Sequence, residues 1–255
     1  MEFSASVQSR LNWIKEYVTN SRSDGVVLGL SGGKDSAVVA ALCAEAGVKI
    51  CGVYMPILSN PTKDLPFIKP LVEKYGIEFI ELSNNDLSNI WSDLCGIVLK
   101  NSPGFPKSDM AIANVKPRLR MTTLYALAQV RNYLVVGTDN ASEAFVGYFT
   151  KWGDGAYDFC PISDLHATEV VALGDELGLP QEITHRVPSA GLWDGQTDEG
   201  EMGVTYAQIE KAAKFGETAF TSEEIPAYLK IMKMHAATKH KREPIPFYQK
   251  VVRDI

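Results

Sequence analysis

The stretch Val26–Ser36, VVLGLSGGKDS, joins a short apolar run to a helical pattern. Its first part, Val26–Leu30, is typical of a strand that is buried inside a parallel sheet. The part that follows, Ser36–Ala46 (SAVVAALCAEA), is rich in helix-forming residues and stops before Gly47, a residue type that often follows the end of a helix. The stretch therefore predicts a strand, a tight loop and a helix, in that order.

The loop of this unit carries the residues that a phosphate site needs. Gly32 and Gly33 permit backbone angles and close approaches that a side chain would prevent. Ser31 and Ser36 supply hydroxyl groups, and the start of the helix offers unpaired N–H groups at the positive end of its dipole. We therefore predict that the loop binds phosphate. The alternative is a plain glycine-rich turn in which Asp35 or Ser36 caps the helix.

Two well-known nucleotide motifs do not fit this junction. Walker A requires glycine where Leu28 stands and serine or threonine where Asp35 stands, and the G-x-G-x-x-G fingerprint is absent. Asp35 itself points to a cation, because a carboxylate inside an anion-binding loop would repel a polyphosphate. Mg²⁺ with oxygen ligands is the usual solution to that repulsion. We therefore predict that Asp35 is a magnesium ligand.

The rest of the N-terminal half repeats the alternation of strand and helix. Apolar runs at Lys49–Met55, Glu78–Leu82 and Tyr133–Gly137 predict three more buried strands. Phe67–Tyr75 and Lys116–Asn132 predict helices between them. This order predicts an α/β fold with a parallel sheet, in which ligands bind beyond the carboxyl ends of the strands.

The C-terminal half has a less regular pattern. Residues 138–162 show no clean period, whereas Ser163–Leu177, Thr205–Lys214 and Ser222–Thr238 predict helices. Ser189–Gly203 is polar and glycine-rich, with a length typical of a functional loop that closes over a site. With no internal repeat or obvious linker, we expect residues 1–255 to form a single domain.

Composition limits the class of protein. The chain has 255 residues and a formal net charge of −6, with 45% hydrophobic and 22% charged residues. The negative balance argues against a general binder of nucleic acid or anionic membranes, because phosphate-rich surfaces attract clustered Lys and Arg. The first helical pattern contains Arg10, Lys15 and Glu16, so it does not resemble a signal peptide, and no run reaches the ~20 apolar residues that cross a bilayer.

The cysteines are widely spaced and form no C-x-x-C pair. Free buried thiols in a reducing compartment are therefore favoured over a disulfide framework or a zinc site. The residues concerned are Cys43, Cys51, Cys95 and Cys160. We expect a cytoplasmic protein that binds neither nucleic acid nor membrane.

The hexapeptide SGGKDS (Ser31–Ser36) is similar to the S-G-G-x-D-S loop of the PP-loop, or N-type, ATP pyrophosphatases. Members of that superfamily cleave ATP between its α- and β-phosphates and transfer AMP to the substrate. The resemblance implies ATP contacts at Gly29, Leu30, Ser31, Gly32, Gly33, Lys34, Asp35 and Ser36. Taken alone, it leaves several amidating, thiolating and ring-forming enzymes open.

Four later segments resemble the ammonia-dependent NAD synthetases. They are NVKPRLRM (Asn114–Met121), GTDNASEAFVGYFTKWGDGAYD (Gly137–Asp158), PSAGLWDGQTDEGEMG (Pro188–Gly203) and KHKR (Lys239–Arg242), in the order of the family. The resemblance implies a homodimer with a doubly wound, three-layer, Rossmann-like fold of the adenine nucleotide alpha hydrolase type. It also implies the ATP-dependent amidation of deamido-NAD (nicotinic acid adenine dinucleotide) to NAD with ammonia. That reaction proceeds through an acyl-adenylate and releases AMP and pyrophosphate.

The same resemblance assigns further site residues. Thr138 and Ser189 match positions that contact ATP, and Glu143 matches a second magnesium ligand beside Asp35. Asp154 matches a position near the reacting carboxyl group. The positions that hold deamido-NAD are matched by Arg118, Lys151, Asp158, His240 and Lys241. Read singly, each cation in this set is more often a solvated side chain or part of a surface ion pair.

One departure from the family pattern affects the phosphate site. The segment DLHATEV (Asp164–Val170) has Ala167 where the family has a lysine that contacts ATP phosphate. Losing such a charge-assisted contact would weaken phosphate binding by ~1.5–3 kcal/mol. Lys34 is a candidate replacement, although an exposed lysine is an equal interpretation.

Other functions remain open at this stage. A related PP-loop enzyme could act on another carboxylate or on tRNA, although tRNA binding requires a basic surface. A non-catalytic nucleotide-binding module is a more distant alternative. The sequence shows no nucleophilic cysteine at its N-terminus, so any use of glutamine would require a separate glutaminase as the source of ammonia.

Overall fold

The structure is a computed structural model that describes residues 3–59, 61–104, 109–189 and 197–248. Its sheet consists of β1 (Gly25–Gly29), β2 (Ile50–Tyr54), β3 (Glu78–Glu81) and β4 (Tyr133–Val135). The helices are α1 (Ala5–Asn20), α2 (Lys34–Glu45), α3 (Leu65–Tyr75), α4 (Asn84–Lys100), α5 (Asp109–Ala113), α6 (Val115–Arg131), α7 (Ala141–Val146), α8 (Ala167–Glu176), α9 (Gln181–Thr184), α10 (Asp198–Met202), α11 (Tyr206–Phe215), α12 (Ile225–Ala237) and α13 (Lys239–Arg242). All four predicted strands are confirmed, with ends that differ by at most two residues.

The four strands are parallel and lie in the order β3-β2-β1-β4. The chain therefore builds one side of the sheet from β1 to β3 and then returns to place β4 on the other side of β1. This reversal makes the carboxyl ends of β1 and β4 a topological switch point, the usual position of a ligand in such a sheet. The doubly wound α/β fold predicted above is confirmed.

Helices cover both faces of the sheet, because successive side chains of a strand point to opposite faces. Val26 and Leu28 pack into a core with buried residues of α1, α2, α3, α8 and α9. Val27 points the other way and packs with Leu87 of α4 and Ala128 of α6. The result is the expected three-layer arrangement of helix, sheet and helix.

A separate core lies among the C-terminal helices. It contains Val146 of α7, Ala167 of α8, Tyr206 and Ile209 of α11, and Ile231 of α12. Helix α7 starts six residues after β4 ends, so this core is anchored near the carboxyl edge of the sheet. The helices around it are therefore able to supply side chains to the switch point.

Several helix ends follow local sequence signals. Gly76 ends α3 in the left-handed conformation, with φ 60°, as the sequence predicts. By contrast, α8 begins at Ala167 and not at the predicted Ser163, because His166 and Glu169 form a capping box there. None of the helices in the described ranges is both long and apolar enough to cross a membrane.

Helix α4 is absent from the predictions above. Its asparagine, serine and glycine residues have low helix propensity, which obscures the pattern. Ser83 and Asp86 form a capping box at its start, and Leu87 packs against the sheet. Tertiary packing therefore stabilises a helix that the local sequence does not favour.

Candidate active site

A cavity of about 750 Å³ opens at the carboxyl ends of the strands. It is lined by residues 29–31 and 33–36, at the end of β1 and in the predicted phosphate loop, and by residues 135–139, at the end of β4 and just after it. Glu143, Asp154, Ser189 and Lys241 also line it. The structure therefore brings the loop and most of the predicted site residues to one place.

The phosphate loop is held by its own serines. The hydroxyl of Ser31 accepts from the backbone N–H of Gly33 at 3.2 Å, and the hydroxyl of Ser36 donates to the Gly33 carbonyl oxygen at 3.1 Å. The two hydroxyls lie 3.1 Å apart. Gly33 is the N-cap of α2, so the capping role considered for Asp35 or Ser36 is wrong, and Asp35 lies in the first turn.

A clamp outside the loop fixes Gly32, which has φ +75°. Arg186 donates from Nη1 to the Gly32 carbonyl oxygen at 2.8 Å and from Nη2 to Asp64 Oδ1 at 2.9 Å. The guanidinium also lies over the ring of Phe67, 4.6 Å from its centroid, and the Tyr54 hydroxyl donates to Asp64 Oδ2 at 3.2 Å. Sequence reasoning missed Arg186 and Asp64, because no local pattern connects them with the loop.

Lys34 is buried, with 5% of its surface exposed, so the interpretation as an exposed lysine is wrong. Its Nζ lies 2.6 Å from Asp35 Oδ2 and 5.7 Å from the centroid of the Tyr206 ring. Burial lowers the pKa of Lys34, but the attraction of Asp35, Glu143 and Asp198 outweighs that effect and the pKa is raised. The loop therefore contains a permanent positive charge.

The two predicted magnesium ligands meet at Asn140. Its side-chain Nδ2 donates to Asp35 Oδ1 at 3.2 Å, and its backbone N–H donates to Glu143 Oε2 at 2.9 Å. Burial and the nearby Asp35 raise the pKa of Glu143 well above its usual range. A bound cation would relieve that cost, because it would neutralise two carboxylates that the fold holds close together.

A second pair of interacting carboxylates, Asp139 and Asp154, also lines the cavity. Asp139, which sequence reasoning missed, is 7% exposed, and burial together with Asp154 and Asp35 raises its pKa well above the usual range. Asp154 is exposed to the cavity, but the surrounding protein removes enough water to raise its pKa, and its Oδ1 accepts from the Thr150 N–H at 3.0 Å. The signal for Asp139 was its place two residues after the predicted strand Tyr133–Gly137.

The charge of the cavity favours a cation. Seven carboxylates and five basic side chains are found among the described residues that line it. The carboxylates are Asp35, Asp64, Asp139, Glu143, Asp154, Asp198 and Glu201. The basic residues are Lys34, Lys63, Arg120, Arg186 and Lys241. Acidic side chains therefore outnumber basic ones in the cavity. Mg²⁺ prefers oxygen ligands, so the residues present fit that ion.

The predicted deamido-NAD residues fall into three places. Lys241 lines the cavity, where its Nζ donates to the carbonyl oxygens of Gly147 at 2.7 Å and Phe149 at 2.5 Å. Burial lowers the pKa of Lys241. Asp158 lies apart, because its Oδ2 accepts from the Val135 N–H at 2.8 Å and its Oδ1 from the Tyr125 hydroxyl at 3.4 Å.

The other three residues of this set lie together outside the cavity wall. Arg118 donates to the Lys151 carbonyl oxygen at 3.3 Å, and Lys151 Nζ donates to the His240 carbonyl oxygen at 2.6 Å. The side chains of Arg118 and His240 are exposed. The structure thus joins three of the five predicted substrate residues into one surface group, in which Lys151 is half-buried, and places the others elsewhere.

Thr138 and Ser189 also line the cavity. Of the predicted functional loop Ser189–Gly203, residues 190–196 lie outside the described residues. Its later part contains α10, which brings Asp198 to 2.9 Å from the Tyr206 hydroxyl. Ala167 is buried, and its N–H donates to the Ser142 hydroxyl at 3.2 Å.

The strand order and the loop at the switch point define a Rossmann-like α/β protein of the PP-loop class. The four cysteines of the chain are buried and form no disulfide, as expected. The family model described as NAD synthase matches residues 6–245, and the chain therefore belongs to the NAD synthase family.

Individual relatives agree with this membership. The NH(3)-dependent NAD(+) synthetase of Carboxydothermus hydrogenoformans is 42% identical over 237 residues, which cover 92% of this chain and 94% of that protein. The solved structure of NMN synthetase from Francisella tularensis is 35% identical, covers 98% of this chain and 100% of its own, and superposes with a TM-score of 0.86. An NH3-dependent NAD synthetase from Campylobacter jejuni, in complex with the nitrate ion, is 27% identical over the same shares and has a TM-score of 0.76.

Proposed function

We propose that this chain is a ligase that amidates deamido-NAD to NAD with ammonia and ATP. One observation carries the proposal. In this member of the NAD synthase family, the phosphate loop with its Asp35 lines the same cavity as Glu143. Curated relatives at about 40% identity bear the name NH(3)-dependent NAD(+) synthetase. The alternative of a different PP-loop enzyme, such as one that modifies tRNA, has no support among these relatives.

The reaction requires activation because a carboxylate is anionic and has no leaving group. An oxygen of the nicotinate carboxylate attacks the α-phosphorus of ATP, the bond to the β-phosphate oxygen breaks, and pyrophosphate leaves. The acyl-adenylate that forms is then attacked at its carbonyl carbon by neutral ammonia. The C–O bond to AMP breaks, AMP leaves, and one proton of the nitrogen passes to solvent or to a base. The protein supplies positioning and charge stabilisation in both steps.

We propose that Asp35 and Glu143 hold Mg²⁺. When bound, this ion supplies positive charge that neutralises the phosphate oxygens. The protein's own part is to hold the polyphosphate against the backbone N–H groups and hydroxyls of Ser31–Ser36, with Lys34 as a fixed positive charge. Thr138 and Ser189, which also line the cavity, are proposed to contact ATP.

For the nucleotide acceptor, Lys241 has the strongest support, because it lines the cavity near Asp154. A lysine at that position can attract the carboxylate that reacts. Arg118, Lys151 and His240 are proposed to bind the phosphates of the remaining nucleotide, since they form a contiguous surface group. Asp158 is proposed to accept from a hydroxyl or amide group of that nucleotide.

We further propose that two copies of the chain form a homodimer through α4. One stripe of this helix is exposed although it is apolar, with exposed fractions of 50% for Ile90, 39% for Leu94, 59% for Ile97 and 43% for Val98. Apolar residues at this spacing share one helix face, and a contiguous exposed apolar face is typical of an interaction site.

Three smaller points complete the proposal. Residues 1–255 form one domain, which is in keeping with a family match over residues 6–245. The enzyme works in the cytoplasm, where free thiols persist. Its nitrogen source is free ammonia, supplied in the cell by a separate glutaminase where glutamine is the donor.

A mononucleotide acceptor is the second candidate. It is favoured by the TM-score of 0.86 and 98% coverage with a structure named NMN synthetase. In that case the same chemistry would amidate nicotinate mononucleotide. The surface group of Arg118, Lys151 and His240 would then have no second nucleotide to bind.

The test offers the purified chain ATP, Mg²⁺ and ammonium with deamido-NAD, nicotinate mononucleotide, nicotinate or tRNA in separate reactions. We expect AMP, pyrophosphate and NAD in equal amounts with deamido-NAD. Faster turnover of the mononucleotide would establish the second candidate, and turnover of neither would refute both. Glu143→Gln should abolish the product, while Glu16→Gln, on the exposed face of α1, should leave the rate unchanged.

A further inference from the structure

Asn140 is a polar residue with no exposed surface, and it lies between β4 and α7. Burying an amide costs free energy unless its donors and acceptors form hydrogen bonds. The partners of Asn140 therefore indicate its structural role. They connect the start of α7 with the two carboxylates Asp35 and Glu143. We propose that Asn140 is the positioning residue that fixes these two carboxylates in one arrangement. The inference rests on the proposed role of that pair in holding Mg²⁺.

The orientation of the Asn140 side chain is determined by its oxygen. Oδ1 accepts from the backbone N–H groups of Ser142 and Glu143, both at 3.0 Å. Because both of these partners are donors, the amide cannot be flipped without losing two hydrogen bonds. The Nδ2 group must therefore face away from α7, and there it donates to Asp35 Oδ1 at 3.2 Å.

The backbone of Asn140 fixes the second carboxylate. Its N–H donates to Glu143 Oε2 at 2.9 Å, which completes a capping box at the start of α7. Asp35 and Glu143 are 108 positions apart in the sequence, yet each has one oxygen tied to this single buried residue. Their other oxygens differ in partner, since Asp35 Oδ2 contacts Lys34 at 2.6 Å and Glu143 Oε1 lies 3.5 Å from the Tyr206 hydroxyl.

The chemistry of the amide explains why asparagine suits this position. The two carboxylates carry like charges, and both are tied to the same residue. A neutral side chain that accepts at one end and donates at the other can cap the helix and hold Asp35 without adding charge. Serine or threonine can also cap a helix, but a single short hydroxyl that accepts from α7 cannot reach Asp35 as well.

The experiment separates capping from positioning. Asn140→Ser and, as a second variant that keeps a cap, Asn140→Thr remove the donor to Asp35. Mn²⁺ alone is titrated into the nucleotide-free protein, and the free ion is followed by electron paramagnetic resonance. We expect the dissociation constant of Mn²⁺ to rise about three- to tenfold in both variants, as the loss of one hydrogen bond predicts. Saturating Mg²⁺ should restore kcat, because only the affinity for the ion has changed.

Thr205→Ala is the matched control, because Thr205 caps α11 by accepting from the Gln208 N–H and contacts neither carboxylate. It should lower the melting temperature and leave Mn²⁺ binding unchanged. An unchanged Mn²⁺ constant in both Asn140 variants would overturn the positioning role while leaving the proposed synthetase activity intact. If Glu143→Gln binds Mn²⁺ as wild type does, the cation assignment fails, and this inference fails with it whether or not NAD is formed.

Discussion

Arg186 donates a hydrogen bond of 2.8 Å from Nη1 to the carbonyl oxygen of Gly32, the loop residue with φ +75°. The two residues are 154 positions apart, and the same guanidinium also holds Asp64 in front of α3. The phosphate loop therefore does not keep its shape through its own serines alone. A side chain that lies two residues after the end of α9 fixes one peptide group of the loop from another part of the chain.

Replacing this guanidinium should weaken nucleotide binding. Arg186→Lys keeps the charge but cannot reach Gly32 and Asp64 together, because an ammonium lacks the planar fork of arginine. We expect KM for ATP to rise about tenfold, which corresponds to ~1.4 kcal/mol, with a smaller change in kcat. Arg131→Lys is the control. Arg131 forms an ion pair of 2.8 Å with Glu78, and neither residue lines the cavity. An unchanged KM in the Arg186 variant would show that the loop keeps its shape unaided.

Gly32 itself provides a second test, with a close internal control. A Cβ at Gly32 would lie 2.9 Å from Arg186 Nη1 and 3.2 Å from the Asp64 carbonyl oxygen, whereas at Gly47, with φ +73°, it would meet nothing within 4 Å. Both alanine substitutions incur the same backbone strain, roughly 1 kcal/mol of unfolding free energy. Only Gly32→Ala should also lose ATP binding, measured by calorimetry. Equal ATP affinities in the two variants would contradict the clamp.

The sequence predicts the framework of this protein well. The four strands are apolar runs whose burial is a local property of the chain, and the phosphate loop is a continuous hexapeptide. The missed residues are of another kind. Arg186 and Asn140 act through partners that are more than 100 positions away, so no local pattern reveals their roles. The deamido-NAD residues are assigned by resemblance alone, and only three of the five lie next to one another in the structure.

The position of Lys34 leads to two opposite effects. Its Nζ lies 2.6 Å from Asp35 Oδ2, so it competes with a metal ion for that oxygen in the absence of nucleotide. Lys34→Gln should therefore tighten the binding of Mn²⁺ alone, while it weakens ATP binding by ~1.5–3 kcal/mol through the loss of a charge-assisted contact. Electron paramagnetic resonance and calorimetry would measure the two constants. Lys15→Gln, on the exposed face of α1, should change neither. Weaker Mn²⁺ binding in Lys34→Gln would show that the lysine supports the metal site.

The buried carboxylate Asp139 should make stability depend on pH. Burial, followed by the charges of Asp154 and Asp35, raises its pKa in the folded protein well above the usual value of 3.8. An acid with a raised folded pKa costs nothing while both states are protonated, and it destabilises the fold progressively as the pH rises from the unfolded pKa to the folded pKa. Asp139→Asn should therefore be more stable than wild type at pH 7, and the gain should vanish below about pH 4, where both states are protonated.

Asp164 should show the opposite sign. The hydrogen bond from Arg10 is the main cause that lowers its pKa, and the ion pair between them measures 2.7 Å. Its contribution is present above the unfolded pKa and is lost as the pH falls through the folded pKa. Asp164→Asn should thus be slightly less stable than wild type at pH 7, by a small amount because the carboxylate is largely exposed. Urea unfolding from about pH 4 to pH 7 would measure the free energy of unfolding of both variants. If Asp139→Asn is no more stable than wild type at pH 7, burial is not what controls Asp139, and if Asp164→Asn is no less stable, the pair with Arg10 contributes nothing.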